Sequence, residues 1–504
     1  MFESANLKHD VDKASYRREA PKLRHALLQA QYDLKENGGF PVLIVIAGVE
    51  GAGKSETVNL LNEWMDPRHV VTSAFSEPTD EESQRPAQWR FWRALPPKGK
   101  VGIFFGGWHT DPILRRVLGE IGEGELARDI GEIQRLEKML ADEGVLLLKY
   151  WFHLSRRQQE KRLESLESDP ATHWHVTDLE WKYFKLHRKF IKVCDPFLRK
   201  TSSAEAPWTV VPGADPRYRT LTVVRHLLAA MRERLDDKPV RRLPDRTPPL
   251  PAPVDKLNVL RALELDQPLT KQEYDAELDK WQGRLAVASR DPRFKAFSVV
   301  AVFEGNDAAG KGGAIRRVTA ALDARRYASI SIAAPTQEER AQPYLWRFWR
   351  HVPGRGRFAF YDRSWYGRVL VERVEKLAPE AEWLRAYGEI NEFEQSLSRH
   401  GIVVVKFWLA VSKAEQHRRF KHREKVAFKQ FKITAEDWRN RRKWDAYEGA
   451  VCDMVDRTST VLAPWTLVEA NNKYHARIKV LKTLCRAVEA ALERVPKKAG
   501  RKKK

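Results

Sequence analysis

The sequence predicts an α/β protein, a parallel sheet covered by helices on both faces and built twice in tandem. Three observations carry this. Gly48, Gly53 and Lys54 fall on Gly305, Gly310 and Lys311 when the 504-residue chain is shifted by 257 positions over itself. The runs "FPVLIVIAG" and "FSVVAVFEG" are short, apolar and end in glycine, as strands buried on both faces do. Polar, periodic stretches separate these runs from later ones, and strands alternating with helices make a parallel sheet.

The repeat extends well beyond the glycines. "PT" at 78 falls on "PT" at 335, and "WRFWRALP" at 89 falls on "WRFWRHVP" at 346. Lys149 and Trp151 fall on Lys406 and Trp408, and "APW" at 206 falls on "APW" at 463. No gap is needed from Gly48 to Trp208, so the pattern reads as a tandem duplication. Between the copies, "DDKPVRRLPDRTPPLPAPVD" (236–255) holds six prolines and reads as a stiff, extended linker. The domains are then 1–235 and 256–492, with a basic, disordered tail at 493–504.

After the first strand of each copy comes a glycine-rich loop, "GVEGAGKS" (48–55) and "GNDAAGKGG" (305–313). The pattern G-x-x-x-x-G-K followed by Ser or Thr is a phosphate-gripping loop between a strand and a helix. Backbone N–H groups converge there on an anion, the helix dipole favours it, and the lysine adds a point charge. The backbone of Gly305, Asn306, Ala308, Ala309, Gly310 and Gly312, with Lys311, is therefore a candidate phosphate cradle. The stretch "GGAIRRVTAALDA" (312–324) suits the following helix. Gly312 lacks the metal-binding hydroxyl that Ser55 has in the first copy. Asp307 can supply a carboxylate instead, to magnesium or as a base; the plainer alternative is that it caps the helix.

Further along, "RFAFYD" and "GIVVVKFWLAV" read as two more buried strands. The first opens the motif "RFAFYDRSWYGR" (357–368). An acid at the end of an apolar strand is where a phosphate-loop enzyme places its second magnesium-side carboxylate; Asp362 fits. Arg363 and Arg368 are candidate phosphate clamps, because a guanidinium fork matches phosphate oxygens. A structural Asp362–Arg363 ion pair is the plainer alternative. In the first copy Asp362, Arg363 and Ser364 become Phe105, Gly106 and Gly107. Residues 413–443 hold 12 Lys and Arg against 4 Asp and Glu, whereas the matching 156–186 holds 6 against 6. A charge run is most often a solvated face, but here charge follows the motif from copy to copy. The second copy is therefore the expected working one and the first its degenerate relative. Trp89, Trp92, Trp346 and Trp349 recur in both copies and read as scaffold.

Composition fits this reading. The net charge is +22, which favours a polyanionic partner. The final "KKAGRKKK" supplies six of the positive charges, so the bias belongs mainly to the body. Three scattered cysteines make neither a disulfide framework nor a zinc site. No apolar run is long enough to span a membrane, and "MFESANLKHD" lacks the core of a signal peptide. A cytoplasmic location is expected, with no membrane or nucleic-acid partner, and a homo-oligomer.

The motif series "GNDAAGKGG", "PTQEE", "WRFWRHVP", "YDRSWYGR", "KFWLAVSKAEQHRRF" and "DRTSTVLAPW" resembles the polyphosphate kinase 2 family. The fused, two-unit layout is similar to that family's class II. The resemblance implies a phosphate-loop kinase fold of thymidylate-kinase type. It also implies reversible transfer of a phosphoryl group from inorganic polyphosphate to AMP, giving ADP, with Mg2+ (or Mn2+) held by Asp307 and Asp362. Asp307, Lys311, Asp362 and Arg363 match the family's catalytic motifs. The stretch 413–443 resembles its mobile basic lid, which makes Arg419, Lys421, Arg423 and Lys432 candidate phosphate contacts. Where the family often has Arg after the first loop glycine, this chain has Asn306. Three other readings stay open: a polyphosphate-dependent nucleoside diphosphate kinase, an ATP-dependent nucleotide kinase, and a nucleic-acid-binding or scaffold protein with relic loops. The last leaves the Asp362–Arg363 motif unexplained.

Overall fold

The computed structural model describes residues 1–236 and 258–496. The expected linker beyond Asp236 and the tail from residue 497 lie outside the described residues. The chain divides into two compact units. Among the described residues, one comprises 1–79, 90–236 and 335–347, and the other 80–89, 258–334 and 348–496.

The first unit holds strands β1 (Val42–Gly48), β2 (Val70–Ala74), β3 (Val101–Phe105), β4 (Leu146–His153) and β5 (Trp208–Pro212). They form one parallel sheet in the order β2-β3-β1-β4-β5. The second unit repeats this with β6 (Ser298–Gly305), β7 (Tyr327–Ser331), β8 (Phe358–Asp362), β9 (Ile402–Ala410) and β10 (Trp465–Glu469), in the order β7-β8-β6-β9-β10. The shift of 257 carries β2 onto β7, β3 onto β8 and β5 onto β10 without change of bounds.

β6 is buried along almost its whole length because it lies at the centre, between β8 and β9. Its Val, Ala and Phe side chains feed the core with Val405, Phe407 and the inner face of helix Lys473–Arg494. The chain leaves β6 for the edge strand β7 and then returns to β8. The crevice between the C-terminal ends of β6, β8 and β9 is thus the point where strand order reverses, where open α/β sheets bind ligands. The helix after the loop spans Lys311–Thr319, ending short of the expected Ala324. Asp323 accepts a hydrogen bond from the Arg325 N–H and starts a separate short turn, Ala324–Arg326.

Trp89, Trp92, Trp346 and Trp349 are all buried, as scaffold residues should be. Among the described residues no helix is long and apolar enough to cross a membrane.

Candidate active site

The loop after β6 is shaped by backbone constraint. Gly305 has φ +150°, and a Cβ there would lie 2.5 Å from the Leu409 carbonyl oxygen of β9. Only glycine lets the loop pass so close to the neighbouring strand. Gly310, at φ +110°, sits at the N-terminus of helix Lys311–Thr319. Lys311 Nζ donates to the Gly305 carbonyl at 2.9 Å, folding the lysine back over the loop. The Asn306 side chain turns away and accepts the Val411 N–H at 3.2 Å, so it braces the end of β9.

An open cleft of about 1640 Å³ lies over this loop. Asp307, Ala308, Ala309, Gly310, Lys311, Gly312, Asp362, Arg363, Arg419 and Arg423 all line it, so most of the sequence-nominated residues meet in one place. Gly305 and Asn306 instead line a smaller cavity of about 90 Å³, shared with Asp307 and Arg363 and walled by Trp408, Trp444 and Tyr447. Arg363 Nη2 donates to Asp307 Oδ1 at 3.4 Å, and Asn440 Nδ2 donates to Oδ2 at 3.0 Å. Burial works against the Arg363 charge, but Asp307 and Glu304 more than offset it and hold its pKa above the ordinary value. Asp362 ends β8 and faces the loop helix: a Cβ on Gly312 would lie 3.8 Å from Asp362 Oδ2. The absent side chain leaves that carboxylate open to the cleft.

Two backbone positions in the site are strained. Ala308 (φ 63°) and Arg363 (φ 65°) are in the left-handed region, which L side chains avoid. Their counterparts in the first unit are Gly51 (φ 78°) and Gly106 (φ 77°). The same conformation occurs in both units, but the second tolerates strain where it keeps the Arg363 side chain.

Besides Gly305 and Asn306, three nominated residues are not among those lining the cleft, and a fourth, Arg419, reaches it already engaged. Arg368 does not line the cleft; it is held by Glu372 at 2.8 Å and by Glu382. Lys421 pairs with Glu424 at 3.1 Å and lies over the Trp438 ring. The side chain of Lys432 lies outside the described residues. Arg419 reaches the cleft, but its donors are already engaged. Nε meets Glu415, Nη1 meets the Ala308 and Ala309 carbonyls at 3.0 Å each, and Nη2 meets those of Ala470 and Asn471 at 2.6 and 2.9 Å. It ties helix Lys413–Lys425 and the end of β10 to the loop.

Sequence reading missed Glu304. It is buried at the end of β6, where Ser364 Oγ donates to its Oε1 at 2.8 Å. Burial pushes its pKa up, against the pull of Lys311. The shifted comparison carried the signal, since the first unit has Ala47 there. A buried ion pair also supports the motif. Lys406 Nζ donates to Glu394, to the Tyr366 hydroxyl and to the Thr458 carbonyl at 2.7, 2.8 and 2.7 Å. Trp365 Nε1 donates to the same Glu394 at 3.0 Å, which locks the segment after Asp362 and Arg363 against β9.

The first unit repeats the scaffold without the site. Lys54 Nζ is neutralised by Glu50 at 2.7 Å. Arg219 Nη1 donates to the Gly213 carbonyl at 2.9 Å, and its guanidinium fills the space beside Gly53, 2.0 Å from where a Cβ would stand. The space beside Gly310 is open. The matching cavity, about 220 Å³, has Ala47, Gly106, Tyr183 and Phe190 where the second unit has Glu304, Arg363, Asn440 and Tyr447.

Among the described residues no cluster of three or more His, Cys, Asp or Glu forms a ready-made metal cage. Two carboxylates beside a phosphate cradle nevertheless suit magnesium, a hard cation usually held by one or two carboxylates plus substrate phosphates. The donor set of Asp307 and Asp362 fits it.

Comparison with known proteins gives a consistent picture. The profile of the family described as polyphosphate kinase 2 (PPK2) matches residues 10–239 and 268–496. A polyphosphate:AMP phosphotransferase of Pseudomonas aeruginosa is 56% identical over 494 residues, covering 98% of this chain and 100% of the relative. One from Pseudomonas syringae pv. tomato is 52% identical over 498 residues, covering 99% and 100%. A crystal structure from Pseudomonas aeruginosa PA01, described as a polyphosphate kinase 2, matches with TM-score 0.87 and 54% identity, over 98% of this chain and 99% of that one.

Proposed function

The chain belongs to the polyphosphate kinase 2 family, and we propose that it moves the terminal phosphoryl group of inorganic polyphosphate to AMP, giving ADP. The reaction exchanges one phosphoanhydride for another, so it runs backward when ADP is abundant. One observation carries the reading: Asp307, Lys311, Asp362 and Arg363 line a single cleft in the second unit. Their counterparts in the first unit are Glu50, Lys54, Phe105 and Gly106, so catalysis is assigned to the second unit alone. The named activity of relatives that match over their full length supports polyphosphate as donor and AMP as acceptor.

The residues act by position and charge. The loop amides and Lys311 grip a phosphate of the bound reactants. A phosphate oxygen of AMP attacks the terminal phosphorus; the bond to the next bridging oxygen breaks, and the chain leaves one unit shorter. The attacking oxygen carries no proton at neutral pH, since the second ionisation of a phosphate monoester lies near pH 6. Asp307 is therefore not needed as a base, and its work is electrostatic. Asp307 and Asp362 would hold a magnesium ion, or manganese in its place, which when bound neutralises charge on the phosphates. Arg363 stabilises charge on the transferring group, aimed there by its strained backbone and by Asp307. Glu304, buried beneath them, limits the positive charge that builds up between Lys311 and Arg363.

The test is product chromatography with purified protein, Mg2+, long-chain polyphosphate and AMP, without ATP. ADP is the expected product. If ADP forms only when ATP replaces polyphosphate, the donor assignment is wrong; if neither donor yields ADP, the protein is not this enzyme.

A further inference from the structure

Three further cations outside 413–443 line the cleft. Arg316 stands on helix Lys311–Thr319, and Lys473 and Arg477 stand on the first turns of helix Lys473–Arg494. Arg477 reaches across to the loop helix, its Nη2 lying 3.5 Å from where a Cβ on Gly313 would be.

Two observations single out these cations. Several cations of 413–443 are already committed. Arg418 forks onto Glu415 through two contacts of 2.7 Å, Arg419 spends its donors on Glu415 and backbone carbonyls, and Lys421 pairs with Glu424. Among the described residues, Arg316, Lys473 and Arg477 form no ion pair with a carboxylate. Arg477 is held instead over the Tyr274 ring, and burial and the nearby Arg317 lower its pKa, the mark of a cation in an electropositive setting without a counter-ion. The second observation is internal to the chain. Asn59, Pro216 and Thr220 occupy the three positions in the first unit. The same two helices form there without any of these charges, so the fold does not require them.

Resting on the reading of the donor as polyphosphate, we propose that Arg316, Lys473 and Arg477 form a fixed track for the phosphates of the donor chain behind the one being transferred. A linear polyanion gives up condensed counterions when it meets unpaired cations, and the gain is sequence-independent and sensitive to salt. These cations stand on two helices that pack against each other, so the fold fixes their positions. The track therefore governs how tightly, and in what length, the donor is held.

The experiment uses the full chain and the replacements that the first unit itself tolerates, R316N and R477T, with K473Q, singly and combined. Steady-state kinetics are measured with AMP and polyphosphates of graded length, across a range of salt. For the triple variant, KM for long polyphosphate is expected to rise by roughly 10- to 100-fold, with the log–log salt slope of donor binding reduced by about 2. The loss should fall on KM more than on kcat, and should shrink as the donor shortens. KM and salt slope equal to those of the unaltered chain would overturn the track, as would a loss confined to kcat. Thermal unfolding of each variant separates this from misfolding; if the triple variant is unstable, R316N alone, at an exposed position, decides by the same directions of change, with the slope reduced by about 0.7. If the unaltered chain makes no ADP from polyphosphate, the donor reading fails first and the track falls with it.

Discussion

Replacing Arg363 separates backbone strain from chemistry, because the first unit shows what the backbone prefers. Arg363 sits at φ 65°, and its counterpart Gly106 at φ 77°. Two variants remove the same guanidinium, R363A and R363G. Both lose an ion pair of 3.4 Å whose arginine is 45% exposed, worth at most about 1 kcal/mol. They differ in what they leave behind. Alanine keeps the left-handed penalty of about 1–2 kcal/mol, which glycine does not incur. Glycine adds freedom to the unfolded chain, a cost of about 0.5–1 kcal/mol. R363G should therefore be the more stable of the two by about 0.5–1 kcal/mol, the reverse of the usual order of alanine over glycine. In a unit of this size that is a midpoint difference of about 1–4 °C, resolvable by calorimetry of the two proteins side by side. Both variants should lose turnover by roughly 10²–10³-fold, the usual result of removing one preorganised charge-stabilising donor. Equal stability, or R363A the more stable, would refute the argument that the site stores strain; full turnover in either would remove Arg363 from the chemistry.

Three further outcomes follow from named contacts. D362N should lose turnover by roughly 10³-fold or more while the chain still binds polyphosphate, measured by kinetics and equilibrium titration; unchanged turnover would dismiss the carboxylate. R419A strands the carbonyls of Ala309 and Ala470, two buried residues that Arg419 now serves. At about 1–3 kcal/mol for each unpaired buried acceptor, partly offset by water, the second unit should lose about 2–4 kcal/mol of stability in denaturant unfolding, with the salt slope of donor binding unchanged. A raised donor KM with a reduced slope would make Arg419 a phosphate contact instead. In the first unit, burial and the neighbouring His187 hold the pKa of His153 down to about 4. An unfolded histidine titrates near 6.5, so between pH 6.5 and 4 the unfolded chain takes up a proton that the folded chain refuses. The first unit should therefore be fully stable above pH 6.5 and lose up to about 3 kcal/mol on the way to pH 4. H153A, which installs the residue found at the equivalent Ala410, should flatten that acid limb in pH-dependent denaturation; an unchanged limb would assign it to other histidines.

The fold was legible because the chain states it twice. A strand buried on both faces is apolar over most of its length, and a loop position where a Cβ would lie 2.5 Å from the next strand's carbonyl oxygen, as at Gly305, must be glycine; both facts survive into the letters of each copy. The loop and the end of β8 were legible for the same reason, and Asp307, Lys311, Asp362 and Arg363 do share one cleft. What sequence could not convey was how each cation is used. Twelve basic residues in 413–443 look alike as letters, yet Glu415 engages Arg418 and Arg419, Glu424 engages Lys421, and Arg368 is held by Glu372 and Glu382. Those pairings depend on helix spacing and on which backbone carbonyls end up without partners. The first is local once the helix bounds are known; the second is a tertiary fact.

The two units differ by more than the acids one of them lacks. By charge counting, the first unit is only a copy that lost its acids. In space it has closed the site with its own groups. Glu50 cancels Lys54, Arg219 fills the room beside Gly53, and Ala47 and Gly106 stand in place of Glu304 and Arg363 in the adjoining cavity. Buried positions that once faced charge must regain partners or become apolar, since an unpaired buried charge costs several kcal/mol. These substitutions are the ones that requirement predicts. The same rule explains why the second unit keeps Arg316, Lys473 and Arg477 without carboxylate partners at an open cleft. Unpaired cations are tolerable only where water now, and an anion later, can reach them.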